Sequence, residues 1–281
     1  MFLERSKRSK QNSKKKHNSN FLLIPKKMSS KIEQQEKPKD NGVWVEYYNN
    51  RFKNCQKKDK EEDESKGSVV VEKEADLHVV SGWTDVEADV WTRYVRSVVK
   101  DLGISNDGNG MSMFELGCGC LGFLEQVRLV YPKLEFAGMD GSPAFLDWLD
   151  AEKGYKKENF YQGFLPKGLK VEEEEEKYDF VVCNSVFQYL TRDQAAETVR
   201  RALRLVKKGG IVMICDVCDE ASKDIEEAFM KHHVPGYGEG KSHTYYSKSW
   251  WTQFDGKVSY FHSDAEGYLR KKTRYQAVIQ K

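Results

Sequence analysis

The sequence predicts an α/β fold: a seven-stranded, mostly parallel sheet with helices on both faces and an antiparallel hairpin at the C-terminal end. Three observations predict it. From residue 84 onward, short apolar runs alternate with amphipathic segments; a glycine-rich turn joins the first run to a helix; and the last two strand-like runs stand only a few residues apart. Alternation of strands and helices implies right-handed crossovers and parallel strands. The closing pair is too close for a helical crossover and must turn back antiparallel.

Taken in order, "VEADVWTRYVRSVV" at 86–99 places Val86, Val90, Trp91, Tyr94, Val95 and Val98 at helical spacing. Met111 to Leu116 reads as the first strand, and "FLEQVRLVYP" as a helix ended by Pro132. "LEFAGMD" is a second strand, and "PAFLDWLDAEK" a helix with Pro143 suited to its first turn. "NFYQGF" is a weaker strand and "KYDFVVCNSV" a strong one. "RDQAAETVRRALRLV" is a long helix with Gly209-Gly210 as its stop, followed by the strand "GIVMICDV". "SKSWWTQF" has the pattern of a helix with an N-cap serine, and "KVSYFHSD" and "TRYQAVIQ" form the terminal hairpin.

The chain has 281 residues, 39% of them hydrophobic, which suffices for one sizeable core with an appended segment. No apolar run approaches the ~20 residues that span a bilayer. Phe21 to Ile24 is too short for a secretory signal and no small-residue cleavage site follows it, so a soluble cytoplasmic protein is expected. The net charge of +2 hides a division. Residues 1–40 hold twelve Lys or Arg against four Asp or Glu, and the remaining 34 basic and 40 acidic residues leave the body at net −6. The tail, with "RSKRSKQNSKKK", lacks periodicity and is expected to be disordered; a nuclear-localisation or nucleic-acid role is the alternative reading of its Lys/Arg run. Residues 41–83 form a charged N-terminal lid segment, in which Trp44, Tyr48 and Phe52 recur at helical spacing. The main domain is 84–281, with a substrate-cap insertion at about 219–254. The acidic run Glu172 to Glu176 reads as a surface loop.

Function begins at "MFELGCGCLGFLEQV", residues 113–127. Gly117, Gly119 and Gly122 follow a strand and precede a helix, and Asp140 ends the next strand. That layout lets backbone approach a ligand and lets a carboxylate accept both hydroxyls of a ribose. Glu115, just before the first glycine, would repel a pyrophosphate but suits a cofactor carrying an ammonium and a sulfonium. At these residues the chain resembles the class I S-adenosylmethionine-dependent methyltransferases, which have a Rossmann-like fold. The resemblance spans roughly 84–281 and rests on "FELGCGCLG", "FAGMDGSPAFL", "YDFVVCNSVFQYL", "VKKGGIVMICDV" and the terminal hairpin. It implies S-adenosyl-L-methionine as cofactor, with Gly117, Cys118 and Gly119 lining the methionine moiety and Asp140 on the ribose. Gly141 and Ser142 would lie beside the adenosine, Asn184 and Ser185 near the sulfonium, and Glu115, Gly122, Gly163 and Phe164 complete the expected cofactor-binding set. Two departures stand out: Leu121 occupies the third-glycine position of the tightest family form, and Phe164 replaces the acidic residue often found after the third strand.

Cys118, Cys120, Cys183, Cys215 and Cys218 fall at the C-terminal ends of neighbouring strands, and Cys215-x-x-Cys218 has a zinc-like spacing. An intracellular chain commonly uses cysteine as a small buried hydrophobe, so no metal site is expected. The substrate is expected to be a small-molecule O or N acceptor, closed over by the aromatic, histidine-bearing insertion. A protein or peptide substrate, or a non-catalytic S-adenosylmethionine-binding regulatory protein, are the alternatives; nucleic acid and membrane are not expected partners. His243, between "GYGEGKS" and the Tyr245-Tyr246 pair, is the candidate general base, with Tyr245 and Tyr189 beside it as catalytic candidates. The loop from Gly236 to Thr244 does not read as core.

Overall fold

A computed structural model describes residues 82–83, 86–145, 149, 157–234, 237–238 and 242–281. The expectations for the basic tail, and for nearly all of the lid segment, fall outside these residues. The described residues lie in one unit within 37–281.

Seven strands make one sheet: β1 (Ser112–Leu116), β2 (Glu135–Asp140), β3 (Phe160–Gln162), β4 (Tyr178–Asn184), β5 (Val206–Cys218), β6 (Lys257–Phe261) and β7 (Arg274–Gln280). Their order is β3-β2-β1-β4-β5-β7-β6. The first five run parallel, and β7 lies antiparallel between β5 and β6. The helices are α1 (Ala88–Val99), α2 (Gly122–Val130), α3 (Val171–Glu174), α4 (Arg192–Leu205) and α5 (Lys223–His233). A further helical segment opens at Pro143, of which only the first residues and Leu149 are described. Among the described residues no helix is long and apolar enough to cross a membrane.

Both faces of the sheet are covered, and β4 displays the period of two that this demands. Val181 and Cys183 face a layer containing Ala195, Val199 and Ala202 of α4, whereas Phe180 and Val182 face Trp91, Val95 and Val98 of α1 and Leu124 of α2. Helix α4 begins with a capping box: Thr191 Oγ1 accepts from the Gln194 N–H, and the Gln194 side chain accepts from the Thr191 N–H.

Three local expectations are corrected. Gly209-Gly210 does not stop the long helix; α4 ends at Leu205 and the chain enters β5 at once. The two glycines sit inside β5 where its register with β4 shifts, Gly209 at φ +79 and Gly210 pressed against the Asp179 carbonyl, so they make a bulge. The run at 172–176 is partly helical, as α3. Residues Lys248–Gln253 form a 3₁₀ helix, and Ser247 makes no side-chain cap bond; its hydroxyl meets that of Ser249 instead.

Leu121 stands where the glycine turn needs a left-handed residue, at φ +64. An L residue there costs ~1–2 kcal/mol. Complete burial of its side chain against the α1–α2 layer offsets this by about 1.5–3 kcal/mol.

Candidate functional site

The C-terminal ends of β1, β2 and β4 open into one cleft of about 1040 Å³, counting its mouth. It lies where the strand order reverses between β1 and β4, the place where open α/β sheets bind ligands.

The glycine turn forms its floor. Gly117 takes φ +72, and a side chain there would strike Val186 Cγ2 at 2.5 Å, so only glycine fits without displacement. The N–H groups of Gly117 and Cys118 both donate to the Met139 carbonyl, at 2.8 and 3.0 Å, which ties the turn to the end of β2. Gly119 N–H donates to Asp140 Oδ2 at 2.9 Å and Ser142 N–H donates to Asp140 Oδ1 at 2.8 Å. The carboxylate is thus held between two loops with lone pairs left over. Burial raises its pKa, and the two N–H bonds act against that rise.

Glu115 lies beside this pair. It is 2% exposed, lines the cleft, and its Oε2 has no hydrogen-bond partner. Burial, and then the charge of Asp140, push its pKa well above the ordinary carboxylate range. An unsatisfied carboxylate oxygen lining a cleft is complementary to a cationic or proton-donating ligand.

Eleven of the twelve expected cofactor residues line this cleft: Glu115, the 117–119 turn, Asp140, Gly141 and Ser142 on one side, Gly163, Phe164, Asn184 and Ser185 on the other. Gly122 does not. It is the first residue of α2, and its carbonyl accepts from the indole of Trp91 at 3.2 Å. Sequence reasoning missed the aromatic roof. Trp83 and Trp91 line the cleft with ring centroids 4.7 Å apart, and Phe123 and Phe145 join them. Trp91 lay in the helical stripe and was indistinguishable from core; no local pattern singled out Trp83. Below them Tyr94, fully buried, donates its hydroxyl to Asn184 Oδ1 at 2.9 Å.

Of the expected catalytic residues, Tyr189 is on the cleft wall. His243 and Tyr245 stand outside the lining. His243 packs edge-on against Tyr189 and Tyr237, its Nδ1 lies 3.8 Å from Cys218 Sγ, and the Tyr237 and Tyr245 hydroxyls meet at 3.2 Å. The expectation that Gly236 to Thr244 lies outside the core is corrected for part of its described residues: Tyr237, His243 and Thr244 are buried, whereas Gly238 and Ser242 are exposed. Backbone bonds account for this. Thr244 N–H donates to the Gln188 carbonyl at 2.9 Å and its hydroxyl to the Leu190 carbonyl at 2.6 Å, while Tyr246 N–H donates to the Cys218 carbonyl at 2.9 Å.

The five described cysteines are free and buried, with Cys183 on one face of the sheet and Cys118 and Cys215 on the other. Among the described residues, Cys218, Glu226 and His243 bring metal-ligating atoms within 4.8 Å of one another. Both oxygens of Glu226 are already engaged, however, by Arg274 and Thr273, and burial pushes the Cys218 thiol up to about 12. Arg274 also pairs with Asp216 at 2.6 Å, and all three side chains of this ion triad are at most 1% exposed.

The methyltransferase-domain family matches residues 114–212, which hold the glycine turn, Asp140 and the β4 segment. No curated protein matches the sequence. Among solved structures, one chain of the complex between the Haloferax volcanii Trm112 methyltransferase activator and a methyltransferase superposes with a TM-score of 0.55 at 16% identity, covering 76% of this chain and 99% of that one. Magnesium protoporphyrin IX methyltransferase from Synechocystis PCC 6803, with bound SAH, gives a TM-score of 0.50 at 12% identity, over 85% of this chain and 97% of that one. At these identities the likeness is one of fold.

Proposed function

We propose that this chain, whose residues 114–212 match a methyltransferase domain, transfers the methyl group of S-adenosylmethionine to an oxygen or nitrogen of a small-molecule acceptor. The observation that carries this reading is the pairing of an orphaned Glu115 oxygen with the clamped Asp140 carboxylate, in a cleft otherwise walled by aromatic rings. Such a site fits a ligand with a cationic end and a diol. Asp140 would accept from the ribose hydroxyls and Glu115 would face the amino-acid end, with the ring of Phe164 beside Gly141 at the adenosine end. The bound cofactor supplies an electrophilic methyl group.

What the chain itself contributes is position. Methyl transfer is an in-line displacement, so much of its rate comes from holding the two reactants in register. The rigid walls for this are the Asn184–Ser185 turn and Tyr189 on the β4 side and the Trp83–Trp91 pair opposite. His243 packs edge-on against Tyr189, which gives it a positioning role, and Tyr245 bonds Tyr237, the other ring that flanks His243. A concave cleft lined by aromatic rings suits a compact acceptor. The test is a labelled-methyl assay on fractionated metabolites and on protein from the source organism. Label appearing in low-molecular-weight fractions is expected; label confined to protein would replace this reading by protein methylation. Cofactor binding with no label transferred to either would leave a non-catalytic binding protein.

A further inference from the structure

Ser185 lines the cleft directly after β4, with its backbone in the left-handed region at φ +57. Its protons and its carbonyl are all committed inside the protein. The N–H donates to the Cys215 carbonyl at 3.3 Å, the carbonyl accepts from Gln188 Nε2 at 2.8 Å, and the hydroxyl pairs with Asp216 Oδ2 at 2.6 Å. The direction of that last bond follows from its partner. Arg274 Nη1 lies 2.6 Å from the same Asp216 oxygen, and the Tyr268 hydroxyl donates to the other. A carboxylate paired with a guanidinium is ionised and only accepts, so the serine must donate. Toward the cleft Ser185 Oγ therefore presents lone pairs and no proton.

We propose that Ser185 Oγ, oriented by Asp216, receives the O–H or N–H of the methyl acceptor, so that the substrate must carry a proton on the atom it methylates. This rests on the methyl-transfer reading and narrows it, because a tertiary amine or a carbon nucleophile has no such group to place there. The proton then has a path. As the acceptor's heteroatom bonds to the methyl carbon and the carbon–sulfur electron pair passes to sulfur, the heteroatom's proton moves to Ser185 Oγ and the serine's own proton moves to Asp216 Oδ2. The acceptor loses one proton and gains one methyl, and the sulfonium becomes a neutral thioether. Asp216, Glu226 and Arg274 are two carboxylates on one guanidinium, buried together, and the arriving proton takes this triad from net −1 to neutral. Asp216 acts through Ser185 and is a positioning residue. It is held by its own left-handed backbone at φ +59 and by an N–H bond to Gln276 Oε1 at 2.7 Å.

Ser185→Gly is the decisive variant, because glycine removes the hydroxyl and suits the left-handed backbone. Asp216→Asn is the second. Arg274 Nη1 and Ser185 Oγ share one Asp216 oxygen, so the guanidinium keeps the amide oxygen at that position; Ser185 still has an acceptor, but a neutral amide takes up no proton. Both are assayed by calorimetry with S-adenosylmethionine and S-adenosylhomocysteine, and by label transfer to the metabolite fraction that the wild-type protein methylates. Cofactor affinity should change far less than kcat/KM for the acceptor, which should fall ~10²- to 10⁴-fold. In Ser185→Gly the lost rate should recover with rising pH as the acceptor sheds its own proton, which a merely structural defect would not produce. Wild-type kcat/KM in Ser185→Gly, or a loss confined to cofactor affinity, overturns the proposal while leaving methyl transfer intact. Absence of transfer by the wild-type protein overturns the methyl-transfer reading and the proton path with it. Should Asp216→Asn fail to fold, Ser185→Gly alone decides.

Discussion

Replacing Glu115 by Gln separates stability from binding, because the same carboxylate oxygen opposes one and serves the other. In the ligand-free protein, Oε2 is buried without a partner and faces the charge of Asp140. A buried group left unsatisfied costs about 1–3 kcal/mol. Removing the ionisable carboxyl should therefore raise the melting temperature, by roughly 2–4 °C for each kcal/mol in a body of this size. Binding should change in the opposite sense. A hydrogen bond to a charged group contributes about 1.5–3 kcal/mol, which converts to roughly 10- to 150-fold in Kd. With S-adenosylmethionine at about 100 times the wild-type Kd, the wild type gains ~2.7 kcal/mol from the ligand; a variant weakened ~100-fold gains only ~0.4 kcal/mol. The assay is a thermal melt of both proteins with and without cofactor. The expected outcome is crossed: a higher ligand-free melting point and a nearly absent ligand shift. The raised pKa adds a pH signature. A carboxyl whose folded pKa lies above its unfolded value contributes stability that is fully present below the unfolded pKa and is lost as pH rises through the folded one. A cationic ligand favours the ionised form, so binding releases a proton and tightens as pH rises across that same window. An unaltered ligand-free melting point together with a full ligand shift would refute the assignment of Glu115.

Asp140→Ala removes the proposed acceptor for the ribose hydroxyls and should weaken cofactor binding ~10- to 100-fold by calorimetry; unchanged affinity would remove Asp140 from the site. Arg274→Ala leaves Asp216 and Glu226 buried without their counter-ion and should cost about 3–5 kcal/mol in denaturant unfolding. A loss below ~1 kcal/mol would mean the two carboxyls protonate or find water instead. His243→Ala should lower turnover by less than the ~10²-fold that a general base contributes, since His243 meets the cleft only through Tyr189; a larger loss would restore it as the base.

Most of the sheet was legible because its signals are local. The apolar runs of β1, β2, β4 and β5 are buried on both faces, and the glycine turn and Asp140 sit at strand ends where sequence alone marks them. What escaped depends on distant partners. Gly209-Gly210 resembles a helix stop until β4 pairs beside it and turns it into a bulge. The loop around His243 is rich in glycine and polar residues, yet carbonyls of the 187–190 turn, far away in sequence, accept its hydrogen bonds and draw it inside. Trp83 entered the site from outside the domain boundary drawn at residue 84, through ring contacts with Trp91 and Tyr94. The Asp216–Glu226–Arg274 triad is invisible in sequence because its members come from β5, α5 and β7.

The segment 242–246 has a kinetic consequence. Its backbone bonds reach both the turn after β4 and the last residue of β5, so it is riveted to the two central strands. A riveted segment cannot swing, and the amides of Thr244 and Tyr246 should exchange with solvent hydrogen only when the sheet itself opens. Tyr189, the cleft residue that His243 backs, is then held in place, and acceptors on that side meet a preformed surface and are sorted by fit. Homologous acceptors one methylene apart should differ by only about 1–3 kcal/mol in kcat/KM, and they should do so through contacts alone, with no slow closing step on that side of the cleft to sharpen the choice.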